Sequence, residues 1–428
     1  MTDTSLFTDF LANLAISNVS DISTRYRNIT QRLNRDFWGS ESESAHSWQI
    51  GSYGRRTAID GVSDLDMVFE IQKEDYDRYR SSKGNGPSIM LQEVRSSLLK
   101  RYPSSDVRAD GQVVGVKLGG YRIEVLPAFP DADGNFIHGD TNDGGGWKIT
   151  RPRPEMAAVH ALNAETGGCL QDVCRMLRAW KNQVGVGIGG LLIDTLAYNF
   201  FEAHPEHHDA AVSDYPTLLV TLFTWLAGLP EQDYWLAPGS RDRVKCKGKF
   251  QGKAQKAARR CQEAVDAEGD EARSAVWRKV FGRPFPKVEA VRKAALPGVD
   301  DREEFIEDQV PVDIRHDITL ECEIKAENIL ESLLSAKRRN RQRVPKGRHL
   351  RFFVAASTIP GPYTVKWKVR NRGPEAERLN MLRGQIEDDK GNTRQRLETA
   401  DFDGDHYVEV YALQDGVCVA RDRIPVPI

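Results

Sequence analysis

The chain has 428 residues, 40% of them hydrophobic, and a formal net charge of -2. That length accommodates two or three domains with real cores, and the near-neutral balance excludes a whole-protein field for nucleic acid, so any basic surface must be local. Six cysteines without a Cys-x-x-Cys pair, no basic-then-apolar start, and a longest apolar run (Leu218 to Leu229) broken by Thr221 and Thr224 predict a cytoplasmic protein with no membrane partner.

In chain order, Phe7, Phe10, Leu11 and Leu14 fall at helical spacing, and Ile22, Tyr26, Ile29 and Leu33 continue a second stripe after a break at Asn18 to Asp21. Ser47 to Phe69 reads as strand, Gly-Ser turn, strand. Asp75 to Ser81 and Ile89 to Tyr102 read as helices, with Ser82 to Pro87 as a loop. Val113 to Leu118 and Tyr121 to Leu126 form a hairpin turned at Gly119-Gly120. Its return strand carries Tyr121, Ile123 and Val125 on one face and Arg122 and Glu124 on the other. Gly144 to Gly146 is a turn, since no strand feeds it as a phosphate loop would require, and His160 is expected to open or cap the next helix. Residues 169 to 183 are helical, with Leu170, Val173, Met176, Leu177 and Trp180 inward. Residues 241 to 260 carry nine Lys or Arg. His204, His207 and His208 beside Glu202 and Glu206 read as a polar loop between helices rather than a zinc site. After Pro297, a helix leads to a strand at Pro311 to Ile314, 326 to 335 read as helix, and a basic segment follows. Strands then begin at Leu350, Tyr363, Tyr407 and Val417, a small β-sandwich-like region.

The chemistry concentrates at Gly51-Ser52-Tyr53-Gly54-Arg55-Arg56-Thr57 and Ser63-Asp64-Leu65-Asp66. Asp64 and Asp66 open a strand and, two apart, share a face, where they are placed to hold one or two hard cations. Ser52 is expected to cap a short helix whose free N–H groups attract an anion. Gly-Ser, a short spacer and Asp-x-Asp on a strand resemble the nucleotidyltransferase superfamily of the polymerase-beta type. The fuller text from Ile50 to Asp66 is similar to the CD-NTases, the cGAS/DncV-like synthases of oligonucleotide second messengers.

The resemblance implies an α+β fold: a polymerase-beta-like core of mixed sheet and helical lobe, then the small all-β domain. Boundaries are expected at 1–160, 161–310 and 311–428. It implies Glu124, in Glu124-Val125-Leu126-Pro127-Ala128, as the third metal carboxylate beside Asp64 and Asp66, with Mg²⁺ as cofactor, two ions, and Mn²⁺ as substitute. It further implies that Gly51 and Ser52 bind the triphosphate of a nucleoside triphosphate, that Lys181 contacts it, and that Thr195 assists. The last quarter, with Pro362 to Asn371, Arg383-Gly384 and Gly404 to Glu409, resembles the adenylyl/guanylyl and SMODS C-terminal sensor domain. That implies a nucleotide or oligonucleotide ligand there, held by the eight Lys or Arg between Lys337 and Arg351 and by Tyr363, Trp367, Phe402 or Tyr407. The implied product is a signal in bacterial anti-phage defence, read by a separate effector protein. Transfer to a tRNA, protein or small-molecule acceptor, and a non-catalytic nucleotide-binding regulator, remain alternatives.

Overall fold

Two paired strands set the architecture of the first part of the chain. In the computed structural model, which describes residues 3–61, 64–119, 121–246, 248–288, 303–327, 329–379 and 381–428, they are β2 and β5 of a seven-stranded sheet. Ser63, Gly120 and the break expected after Pro297 lie outside the described residues. The elements leading to this sheet are α1 (Asp3–Leu14), α2 (Val19–Trp38), β1 (Ser47–Gln49), the single turn α3 (Gly51–Gly54) and β2 (Asp64–Glu70). Next come α4 (Asp75–Arg80), α5 (Gly86–Arg101), β3 (Val107–Asp110), β4 (Val113–Leu118), β5 (Tyr121–Pro130), β6 (Phe136–Asp140) and β7 (Gly146–Thr150). Helices α6 (Pro152–Glu165), α7 (Cys169–Val184), α8 (Gly190–Ala203) and α9 (Tyr215–Gly228) follow, then the hairpin β8 (Tyr234–Leu236) and β9 (Arg243–Lys245).

The sheet runs β1-β2-β5-β4-β3, with β6 pairing β5 and β7 pairing β6; β2 and β5 are parallel. Strand alternation divides its faces. Leu65, Met67 and Phe69 of β2 and Ile123 and Val125 of β5 are buried with Ile29 and Leu33 of α2 and Met90, Leu91, Val94 and Leu98 of α5. Asp64, Asp66, Arg122 and Glu124 therefore occupy the opposite face.

Two expectations shift here. Helix α5 begins at Gly86, inside the expected loop: Asn85 caps it by accepting the Ser88 N–H at 3.0 Å, and Pro87 suits a first turn whose N–H groups have no helical acceptor. His160 neither opens nor caps a helix; it lies within α6.

The chain divides into two compact units, Met1–Ala179, Gly190–Trp225 and Gln232–Cys246 forming one, and Trp180–Gly189, Leu226–Glu231 and Lys247–Ile428 the other. The second holds α10 (Gln251–Val265), α11 (Asp270–Phe281), β10 (Ile318–Ala326), β11 (Ile329–Leu333), α12 (Leu334–Arg339), β12 (His349–Ser357) and β13 (Thr364–Arg370). It continues with α13 (Pro374–Arg378), β14 (Ile386–Asp388), β15 (Gln395–Thr399), β16 (Asp405–Gln414) and β17 (Val417–Pro427). Two four-stranded sheets, β11-β10-β12-β15 and β14-β13-β16-β17, share one core that includes Ile318, Leu320, Leu350, Phe352, Val365, Trp367, Val408, Val410 and Ile424. This is a β-sandwich. The helix expected over 326 to 335 is for the most part the edge strand β11, which pairs antiparallel with β10. The strand expected at Pro311 to Ile314 is a single bridge from Val312 to Cys418. Among the described residues, no helix is long and apolar enough to cross a membrane.

Candidate active site

The Gly-Ser turn is fastened to the acid strand by its backbone. Ile50 is extended at the end of β1 and donates its N–H to the Asp66 carbonyl at 2.9 Å. The chain then makes one helical turn, with Gly54 N–H to Ile50 O at 3.0 Å and Arg55 N–H to Gly51 O at 3.1 Å. The N–H groups of Gly51, Ser52 and Tyr53 precede that ladder and have no acceptor within the turn. Ser52 does not cap it, contrary to expectation: the cap position is Ile50, and Ser52 sits inside the turn, because positive φ at Gly51 starts the helix one residue earlier.

Gly51 is required on two counts. Its φ is +62°, which L side chains rarely adopt, and a Cβ there would lie 2.0 Å from Asp66 Oδ2. The Asp66 carboxylate thus lies directly against the turn. Across the parallel pair, Asp66 is the register partner of Glu124, and Asp64 the partner of Arg122. All three acids are half-buried. The Arg122 guanidinium covers Gly115 of β4, where a Cβ would stand 2.0 Å from Nε, and that Nε lies 3.5 Å from Glu124. Tyr53, next to Ser52, is pushed up to about 12 by burial and by the negative charges of Asp60, Asp64 and Asp66, so its hydroxyl stays protonated at neutral pH.

Among the described residues, no three His, Cys, Asp or Glu side chains are gathered as a metal cage. The donor set nevertheless has the chemistry for a hard dication: oxygen ligands only, on one face of two adjoining strands, in a negative field that already raises Tyr53.

The segment after the turn is held by a buried network that sequence reasoning missed. Asp194 of α8 is 0% exposed. It accepts from Arg55 Nε at 2.7 Å, Thr57 Oγ1 at 3.0 Å, and Arg178 NH1 and NH2 at 2.5 and 2.9 Å. Burial opposes its ionisation, but Arg178 and Arg55 outweigh that and bring the carboxyl down to about 2. Helix α7 adds two further grips one turn apart: Gln171 donates to Arg55 O at 2.9 Å and Arg175 to Arg56 O at 3.0 Å. A lone Asp among the apolar residues of α8 was the available clue, since a buried charge requires partners.

The remaining candidates have other occupations. Thr195 is fully buried and donates its hydroxyl to Leu191 O at 2.8 Å, one turn back in its own helix. Lys181, in the second unit, is buried and ion-paired to Asp313 at 2.9 Å. His204 contacts Glu206 at 2.9 Å and His208 contacts the Phe201 carbonyl, as a polar loop would. In the sandwich, the four candidate stacking aromatics are all buried. Trp367 and Tyr363 face the core, and Tyr407 is covered by Arg372 and Arg423 while donating to Glu303 at 2.5 Å. Several basic residues there are paired: Arg348 with Glu331, Arg351 with Glu323, Lys346 with Asp403.

Comparison with known proteins follows the same division. The Second Messenger Oligonucleotide or Dinucleotide Synthetase (SMODS) domain matches residues 1–163, and the Adenylyl/Guanylyl and SMODS C-terminal sensor domain matches 300–428. A cyclic AMP-AMP-AMP synthase from an Acinetobacter species is 21% identical over 304 residues, 67% of this chain and 86% of that protein. Among solved structures, CdnC of E. coli MS115-1 in a complex with HORMA-deltaN is similar, with TM-score 0.51 and 14% identity, over 66% of this chain and 98% of that one. The D-loop deletion mutant of the Vibrio cholerae dinucleotide cyclase DncV gives TM-score 0.50 and 12% identity, over 64% and 93%. At such identities these two likenesses speak for the fold.

Proposed function

The chain is a CD-NTase, a nucleotidyltransferase with a C-terminal sensor domain, and on that premise we propose that it joins nucleoside triphosphates, without a template, into cyclic or linear oligonucleotide second messengers. The observation that carries the reading is the register: Asp66 opposite Glu124, Asp64 on the same face, and the Gly-Ser turn against Asp66.

In this reading Asp64, Asp66 and Glu124 hold Mg²⁺, with Mn²⁺ as substitute. Bound there, two such ions supply Lewis acidity to the attacking hydroxyl and charge neutralisation to the leaving pyrophosphate. The first N–H groups of the turn and the Ser52 hydroxyl orient the β- and γ-phosphates. Protonated Tyr53 adds a donor beside them. The buried Asp194 clamp fixes Arg55 and Thr57, and so the far end of the turn, at no entropic cost during reaction. Anti-phage signalling through a separate effector protein, in the cytoplasm, completes the proposal, with the sandwich binding a nucleotide or oligonucleotide.

The test is to incubate the purified protein with mixed labelled triphosphates and Mg²⁺ or Mn²⁺ and identify products by mass spectrometry. Asp64→Ala with Asp66→Ala is expected to abolish synthesis while leaving thermal stability unchanged or raised, since carboxylate repulsion is relieved. Wild-type product formation by the double variant would sink the reading.

A further inference from the structure

Two basic runs, far apart in sequence, each lack acids altogether. No Asp or Glu occurs between Arg243 and Gln262, nor between Ser332 and Pro374. A solvated helix face ordinarily interleaves charges of both signs, which stabilise it at i,i+4 spacing. Here α10 carries Lys253, Lys256, Arg259 and Arg260 with Glu263 as its one acid, and α12 ends in Lys337-Arg338-Arg339.

The fold of the second unit brings the runs together. Lys256 of α10 is held below its usual range by burial first, and then by Arg260, Arg338, Arg423 and Arg259. Those arginines come from three elements, α10, α12 and β17. Arg260 is likewise depressed, by burial and by Arg423 and Arg259, with Glu263 opposing.

The counter-charges are few and committed. Arg423 pairs with Glu409 at 2.7 Å, and Arg260 donates to the Lys279 carbonyl at 2.8 Å. The Asp422 carboxylate, which feels Lys253 and Arg338, accepts the Leu320 and Arg423 N–H groups at 2.9 Å each. Lys256, Arg259 and Arg338 make no side-chain hydrogen bond or ion pair among the described residues. Five cations thus crowd one locality of a chain whose net charge is -2. Like charges so placed destabilise the fold unless an anion occupies the site.

We infer that this convergence of α10, α12 and β17 is a binding site for the phosphodiester backbone of an oligonucleotide chain. The geometry suits a strand better than a single phosphate. Lys253, Lys256 and Arg260 stand at i, i+3 and i+7, a line of about 10 Å along the helix at ~1.5 Å per residue. That length spans two or three successive phosphates at about 3.4 Å per nucleotide. Arg338 and Arg423 broaden the line into a groove-like array, and arginine forks recognise phosphate bidentately. The site is distinct from the acid face of the first unit, and the inference does not depend on the synthase reading.

The test uses the full-length protein and fluorescence anisotropy with short labelled oligothymidylate and oligouridylate. Unlabelled competitors are the oligonucleotide that the enzyme itself makes, inorganic tripolyphosphate, and phosphatidylserine vesicles. Wild type is expected to bind the labelled strands. Lys256→Ala with Arg259→Ala and Arg338→Ala is expected to weaken binding at least about tenfold and to lower the slope of log K against log salt by about 2, as loss of roughly three phosphate contacts requires. The triple variant should melt at or above the wild-type temperature, and Lys256→Arg alone should keep binding. Competition by the enzyme's own product identifies that product as the strand; competition by exogenous strands alone identifies foreign nucleic acid; either supports the site. Wild-type binding by the triple variant, no strand binding by the wild type, equal displacement by tripolyphosphate, or a preference for vesicles overturns it. Synthesis measured on the same preparations separates this outcome from failure of the synthase reading.

Discussion

Asp194→Ala is the perturbation that most directly tests how the Gly-Ser turn is held. The carboxylate accepts four hydrogen bonds from Arg55, Thr57 and Arg178 and has no exposure to water. Its folded pKa of about 2, against an ordinary 3.8, corresponds to about 2.5 kcal/mol of stabilisation. Deleting the side chain costs more than protonating it, because two buried guanidiniums lose their counter-charge. The expected loss is about 3–5 kcal/mol. For a unit of this size that lowers the melting temperature by about 10 °C or more. Asp194 is lowered on folding, so its contribution is fully present above about pH 4 and disappears as the pH falls through about 2. The assay is urea denaturation at neutral pH and again near pH 3, with wild type and variant side by side. The gap between them should narrow in acid. Arg178→Met with Asp194→Leu should recover much of the loss, since Arg55 keeps Glu155 at 3.9 Å. An Asp194→Ala protein that melts within about 2 °C of wild type would refute the reasoning.

Three further outcomes follow from the site. Gly51→Ala should reduce synthesis by at least about tenfold with little change in melting temperature, because the new Cβ displaces the Asp66 carboxylate and opposes a φ of +62°; near-normal kcat/KM would count against the close approach. Glu124→Gln should be nearly as damaging as Asp64→Asn, an amide being a poor Mg²⁺ ligand; if only the Asp variant is impaired, Glu70 on the same face becomes the third ligand to test. Lys181→Met should lower stability by about 3 kcal/mol, measured by urea denaturation, because buried Asp313 then retains Arg315 alone, while KM for nucleotide stays unchanged; a raised KM with unaltered stability would instead place Lys181 on phosphate.

The acid face was legible because strand alternation is local: Tyr121, Ile123 and Val125 against Arg122 and Glu124 can be assigned without knowing any partner strand. Element identity failed where local signals were ambiguous. Ile329, Leu330, Leu333 and Leu334 fit a helical stripe, yet antiparallel pairing with β10 makes a strand of the first three, and they stay substantially exposed at its edge. Gly86 and Pro87 looked like loop, although proline is well suited to a helix's first turn. The Asp194 clamp was illegible for a different reason. Its partners lie 16, 137 and 139 residues away, and no periodicity links them.

The sandwich shows how far alternation carries and where it stops. On β13 and β16, Val365, Trp367, Val408 and Val410 enter the core between the sheets. The complementary positions Lys368, Glu409 and Tyr411 should then face water, yet each is at most 2% exposed. The segment after the masked stretch covers them: Ile306, Val312 and Ile314 pack with Tyr411, while Glu303 reaches Lys368 at 2.8 Å and Glu307 reaches Arg421 at 2.8 Å. A charged residue on the outer face of a strand is thus read correctly for direction and wrongly for environment. What converts one into the other is a second layer contributed from about a hundred residues earlier in the chain. The ions it encloses are compensated, with Glu409 brought down to about 2 against the pull of burial by Arg423, Arg421 and Lys368. Such a layer is costly to desolvate and confers little net stability. Its consequence is register: only one placement of the 303–314 segment satisfies Lys368, Glu409 and Arg421 together, so the charges specify where that segment lies on the sheet while the hydrophobic residues beside them supply the burial energy.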